Sequence, residues 1–158
     1  MFTLDGIRKF HNWTHSSLTR MLDHIATLPE GSYDTTLNGF GFPTIGEQVI
    51  HILQCEALWI HRAQAIPFDG WSLSDCQIIQ DARGLQEKVR SETLAYLSSL
   101  TNQQLNEEIT LHTSDGFKIT CTPAQLMHHV LTHAFHHKGQ IVSMCRILGH
   151  PAPDTDML

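Results

Sequence analysis

Residues 128 to 141 read HHVLTHAFHHKGQI, and five of the chain's 12 histidines fall within this stretch. Around it, Leu126, Val130, His133/Ala134, His137, Ile141, Met144/Cys145 and Leu148 advance by three or four residues at each step. That period marks a helix face turned toward a core. Thr122-Pro123-Ala124-Gln125 supplies an N-cap hydroxyl, a proline at the first helical position and a glutamine at the third, while Gly149 and Pro151 stop the pattern. The stretch therefore belongs to a helix running from about residue 123 to 148. His133 and His137 both fall on its inward face, one turn apart and rotated by only about 40°, a spacing at which two imidazoles can converge on one ion.

Outward from this helix, apolar residues recur at helical spacing from Leu4 to Leu28 before Pro29-Glu30-Gly31, which predicts a first helix over 4–27. Thr44-x-x-Glu47 has the form of a capping box and opens a second helix over 45–64. Residues 65–80, with Pro67, Gly70 and Trp71, read as a long crossover. A third helix over 81–100 follows, with Leu85, Val89, Leu94 and Leu97 on one side. Segments 108–112 and 117–121 flank Ser114-Asp115-Gly116, a turn signal for a small hairpin. The expected architecture is a single all-α domain over 1–158: a four-helix bundle with long crossover connections and a small β-hairpin before the last helix.

Metal sites in bundles draw ligands from facing helices, so a third ligand is sought in another apolar stripe. His51 sits inside Val49-Ile50-His51-Ile52-Leu53, where an unpartnered ionisable group would be costly to bury. With the second and last helices antiparallel and their ends aligned, His51 falls level with Ile141, which favours the pair 133/137 over 129/133. His129 is then a hydrogen-bond partner behind the ligands or a satisfied core histidine. Cys55, one turn past His51, and Glu56 are further candidates for positions around the ligands, with burial as a small hydrophobe and surface exposure as their respective alternatives. His136 points away. His11 and His15 are also spaced i, i+4, but Asn12, Thr14 and Ser16 surround them, and the pattern reads as a solvated face.

Composition excludes several classes. A formal charge of −6 with 10 lysines and arginines and no basic run gives no footprint for nucleic acid. No stretch is apolar and long enough to suggest a membrane span or a signal core, so the expected compartment is the cytoplasm. Cys55, Cys76, Cys121 and Cys145 lack paired spacing and read as reduced thiols.

On these residues the chain resembles the DinB-like family of metal-binding four-helix bundles. The resemblance rests on HHVLTHAFHHKGQI at 128–141, on the histidine of HILQCEALW at 51–59, and on the tail Gly149-His-Pro-Ala-Pro-Asp154. It implies one divalent metal ion, zinc or nickel, on His51, His133 and His137. Lys138 stands where arginine is usual in the family, which replaces a planar bidentate donor by a point charge. The resemblance also implies a frequent homodimer, and relatives that are thiol-dependent transferases and isomerases in which the metal activates a low-molecular-weight thiol.

Three imidazoles leave coordination positions open, the arrangement of catalytic sites. The expected function is a metal-dependent enzyme acting on a small molecule, a thiol-dependent S-transferase first and a hydrolase second. A non-catalytic metal-binding or ligand-binding bundle, or a purely structural histidine cluster, are the rival readings.

Overall fold

The computed structural model describes residues 1–113 and 115–155. Ser114 of the expected turn and the end of the expected domain, 156–158, lie outside the described residues. Four long helices dominate: α1 (Leu4–Ile25), α2 (Ile45–Ala63), α3 (Ile79–Ser99) and α4 (Pro123–Ile147). Short 3-10 turns at Leu73–Asp75 and Gln104–Asn106 and an antiparallel hairpin, β1 (Ile109–His112) with β2 (Lys118–Cys121), complete the chain.

Local chemistry sets these boundaries. Thr44 Oγ1 accepts the Glu47 N–H at 3.1 Å while the Glu47 carboxylate accepts the Thr44 N–H at 2.9 Å, so two orphan amides are satisfied reciprocally at the start of α2. Thr122 and Gln125 do the same for α4, at 3.1 and 2.8 Å. Helix α3 starts two residues before the expected position, with Asp81 in its first turn, where its carboxylate accepts the Ile78 N–H at 3.1 Å. Val89 and Leu97 of the expected stripe are buried, Leu85 and Leu94 only partly so, and Ala82, Gln86, Thr93 and Tyr96 complete the inward face of α3.

Helices α1 and α2 each pack against both α3 and α4, and so face one another across a diagonal. The connection 26–44 and the hairpin-bearing connection 100–122 cross the bundle's diagonals, whereas 64–78 joins neighbours. The core falls into two apolar clusters, one built on Leu22, Ile45, Leu53, Val89 and Met144, the other on Ile7, Ile60, Leu97, Leu111 and Met127. Between them along α1 and α3 lie His11, His15 and Thr93, with Glu56 at the same level of α2, all buried. Among the described residues no helix is long and apolar enough to cross a membrane.

The connection 26–44 is fastened to α2 by Tyr33, whose carbonyl accepts the Gly46 N–H at 3.0 Å and whose hydroxyl pairs with Cys76 at 3.3 Å. The Tyr33 ring lies so close that a Cβ on Gly46 would stand 2.7 Å from Tyr33 Cε1. Gly46→Ala must therefore push the ring and its loop away, and is expected to cost about 1–3 kcal/mol, as overpacking does. A urea midpoint equal to that of the parent protein would contradict this close packing.

Candidate metal centre

Packing of α2 against α4 brings His51, His133 and His137 together, with their ligating atoms all within 4.8 Å of one another. His51 Nε2 and His133 Nε2 are 3.0 Å apart. Two nitrogens each bound to one ion at about 2.0–2.1 Å stand about 3 Å apart when their bonds meet near a right angle, so this separation fits a shared metal. His51 faces His133 and His137 rather than Ile141, because α4 has 25 residues against 19 in α2 and extends past the start of α2.

A buried glutamine fixes the third imidazole. Gln48 is fully buried, and its Nε2 donates to the Phe42 carbonyl and to Gln140 Oε1, both at 2.8 Å. With both amide protons engaged, Gln48 Oε1 can only accept, and it does so from His137 Nδ1–H at 2.7 Å. This network assigns the proton of His137 to Nδ1 and leaves Nε2 as a free lone pair, the arrangement in which a ligating histidine is held from behind. Phe42 then stacks on His51, with centroids 3.9 Å apart and planes 24° apart, and meets His137 edge-on.

Burial, with the neighbouring imidazoles adding to it, lowers the pKa of His133 and of His137 to about 4. Burial likewise lowers His51. All three are neutral at pH 7 and present lone pairs. His51 and His133 line a pocket of about 570 Å³ whose walls also include Phe42, Leu58, Trp59 and Trp71, along with Glu47, Cys55 and His129. This combination of apolar walls and a few convergent polar atoms is that of a small-molecule site.

Other expected positions differ. His129 is exposed and does not back the triad; its ring stands 6.0 Å from that of His133 and meets Trp59 edge-on at 5.3 Å. Cys55 lines the pocket, yet belongs to no convergent ligand group among the described residues. Burial pushes its thiol up to about 11. His136 is exposed and accepts from Gln140 Nε2 at 2.8 Å.

Glu56 is neither on the surface nor beside His51. It is buried toward α1 and α3, where its carboxylate accepts from His11 Nε2 at 2.8 Å, His15 Nε2 at 3.1 Å and Thr93 Oγ1 at 2.6 Å. The expectation of a solvated His11/His15 face fails for the same reason: the two rings are 0% and 3% exposed, and the carboxylate on α2 supplies their partner. Burial alone would raise the Glu56 carboxyl; attraction to His15 and the bonds from His11 and His15 outweigh it and hold the group well below the usual carboxylate range. His11, His15 and Glu56 also converge closely enough for a metal ion. Here, however, the carboxylate already has three donors, so the atoms that converge are engaged with one another. We read this second group as a hydrogen-bonded knot.

Gln48, Gln140 and Phe42 were not legible as site residues. Gln48 follows Glu47 in the first turn of α2, where a polar residue reads as solvated, and nothing in the sequence of 26–44 shows where Phe42 lands.

The sequence model described as the DinB family matches residues 1–158. The chain is similar to Protein DinB of Bacillus subtilis (strain 168), 22% identical over 94% of this chain and 87% of that one. It is also similar to YjoA of the same organism, 25% identical over 89% and 88%. Among solved structures it matches YfiT from Bacillus subtilis, described as a probable metal-dependent hydrolase with an unusual four-helix bundle topology, with a TM-score of 0.70 and 18% identity over 95% of this chain and 91% of that one. That likeness establishes the fold.

The depressed histidines make stability depend on pH. Unfolding returns His133 and His137 from about 4 to about 6.5, so the unfolded chain binds more protons between these values. Metal-free protein should therefore lose stability as pH falls from about 6.5 toward 4, and Glu56, also depressed, adds a further loss below about 4.5. Urea unfolding with a chelator present, compared with the His133→Ala/His137→Ala double variant, measures this: the upper part of the slope should flatten in the variant. An unchanged slope would show that other groups carry it.

Proposed function

Because the chain belongs to the DinB family, we propose that it binds one divalent ion, zinc or nickel, through His51, His133 and His137 and is a metal-dependent enzyme, transferring a low-molecular-weight thiol to an electrophile. The observation that carries the reading is the clamp on His137: Gln48 holds Nδ1–H at 2.7 Å and turns Nε2 toward the place where His51 and His133 bring their Nε2 atoms 3.0 Å apart. When bound, an ion held by three neutral nitrogens supplies Lewis acidity, lowering the pKa of a coordinated thiol or water so that a nucleophile exists at neutral pH.

The chain's own residues do the rest. Gln48 fixes the orientation of His137, and Phe42 covers His51 and excludes water from that side. Trp59, Trp71 and Leu58 present apolar walls for the acceptor. His129, exposed at the pocket and one turn from His133, takes the thiol proton on a ring nitrogen. The sulfur then forms its bond to the acceptor carbon as the leaving group departs with the bonding pair, or as an epoxide oxygen is released and takes up that proton. Cys55, held as a neutral thiol by burial, is a wall of the pocket and not the attacking group.

A second reading is hydrolysis, with water in place of the thiol. It is favoured by the description of YfiT, which shares the fold.

Two measurements test the proposal. Elemental analysis of untagged protein should give close to one metal per chain, His133→Ala should abolish it, and Gln48→Leu should weaken binding by about 10–100-fold, the usual cost of losing a group behind a ligand. Full occupancy in His133→Ala would refute the ligand set. Titrating glutathione, bacillithiol or mycothiol into nickel- or cobalt-loaded protein should produce thiolate-to-metal charge-transfer absorption. If no thiol at millimolar concentration perturbs the spectrum, transfer is excluded and hydrolysis is preferred.

A further inference from the structure

A second cavity, of about 220 Å³, lies between the hairpin and the helices and is lined by Leu111, Ile119, Cys121 and Leu126 together with Trp59 and His129. Trp59 and His129 also line the pocket over the triad. The two spaces therefore adjoin one aromatic pair, whose rings meet edge-on at 5.3 Å. His129 stands one helical turn from His133, with ring centroids 6.0 Å apart, so the second cavity begins one turn from the candidate metal ligands.

The chemistry of this cavity is one-sided. Leu111 and Leu126 are 2% and 3% exposed, and burial raises the Cys121 thiol above its ordinary pKa, leaving it neutral. Gln125 also lines the space, but its Oε1 is engaged by the Thr122 N–H at 2.8 Å. Such walls reward apolar surface and have little to offer a charge or a strong hydrogen-bonding group, which would lose its hydration on entry. The pocket over the triad is the reverse: its lining includes the neutral imidazoles of His51 and His133, which suit a polar, metal-ligating group.

We infer that the second substrate of this site, the acceptor in the transfer reading, is a small molecule with a polar head able to ligate the metal and an apolar tail. The head sits over His51, His133 and His137, and the tail passes Trp59 and His129 into the hairpin cavity. The head's placement rests on the metal reading above; the tail's rests on the cavity alone. The hairpin thereby acquires a role in specificity, since Leu111 and Ile119 on β1 and β2 set how much tail is accepted.

The test uses the full chain loaded with zinc and a series of straight-chain hydroxamates from acetohydroxamate to decanohydroxamate, titrated calorimetrically below their micelle concentrations. Affinity should rise roughly three- to fourfold per added methylene until the cavity is full, then level off. Ile119→Trp, at a position 36% exposed and so tolerant of a larger ring, should fill the cavity and leave decanohydroxamate no tighter than acetohydroxamate. Cys121→Met narrows the same space from β2 and serves if the first variant does not fold. In His133→Ala protein without metal, overall affinity should fall while the gain per methylene persists, which would support the tail cavity independently of the ion. If hydroxamates bind the zinc protein with no dependence on length, or if the dependence survives Ile119→Trp, the tail inference is overturned and the metal reading stands. If none binds the zinc protein and the metal-free protein shows no length dependence either, both are overturned.

Discussion

The carboxylate of Glu56 lies where two apolar clusters of the core meet, and it accepts hydrogen bonds from His11 and His15 on α1 and from Thr93 on α3. Helices α1 and α2 face each other across the diagonal of the bundle, so this knot joins the pair that the packing of neighbours does not. A buried carboxylate without partners would be very costly, and a network in which it is satisfied fixes the level and rotation of every helix that supplies a donor. Two greasy layers could slide past one another by a turn; a carboxylate with three donors from two other helices permits one register. The placement of α2 relative to α1 and α3 follows, and with it the face that α2 shows to α4.

That other face carries Gln48 and His51. The two histidine groups of the protein make an instructive contrast, since each contains a pair spaced i, i+4 on one helix joined by a polar residue of α2. In the knot, the ring nitrogens that converge are already engaged by a carboxylate; the nitrogens behind them have no partner, as is also true of His133 Nδ1 in the triad. In the triad, the convergent nitrogens meet only one another, and His137 is held from behind by an amide whose own protons are committed to Phe42 and Gln140. The first pattern is that of a group that stabilises the fold, and the second is that of lone pairs arranged toward a common point. The same residue types at the same spacing thus serve two ends, and what separates them is the polar group on the opposite helix.

Much of the fold was legible because it is written locally. Capping boxes at Thr44 and Thr122, the apolar period of α1 and α4, and the turn signal near Gly116 are properties of adjacent residues, and the helices and hairpin lie within a few residues of where those signals place them. His133 and His137 could be set on one face by counting, and His51 by the cost of burying it alone; the structure brings the three together. What could not be read was pairing between distant segments. His11 and His15 looked solvated because their neighbours in sequence are polar, but their burial is decided by a glutamate more than 40 residues away. Helix α3 buries Gln86 and Thr93 beside Val89 and Leu97 of the expected stripe, because the Gln86 amide donates to the His15 carbonyl and to Thr19 Oγ1, and Thr93 donates to Glu56. Phe42 reaches the site through a connection fastened by Tyr33 against Gly46, a contact that no periodicity reveals.

The central claim is that three imidazoles, one held by Gln48 and two meeting at their Nε2 atoms, form the ligand set of a single ion. X-ray absorption at the zinc or nickel edge of loaded protein reads that ligand set directly. The account predicts a first shell of nitrogen and oxygen atoms, near 2.0–2.1 Å for zinc, with the outer-shell scattering of about three imidazole rings and no sulfur. A sulfur shell near 2.3 Å, which would bring Cys55 or another thiol onto the metal, or scattering from fewer than two imidazoles, would contradict it.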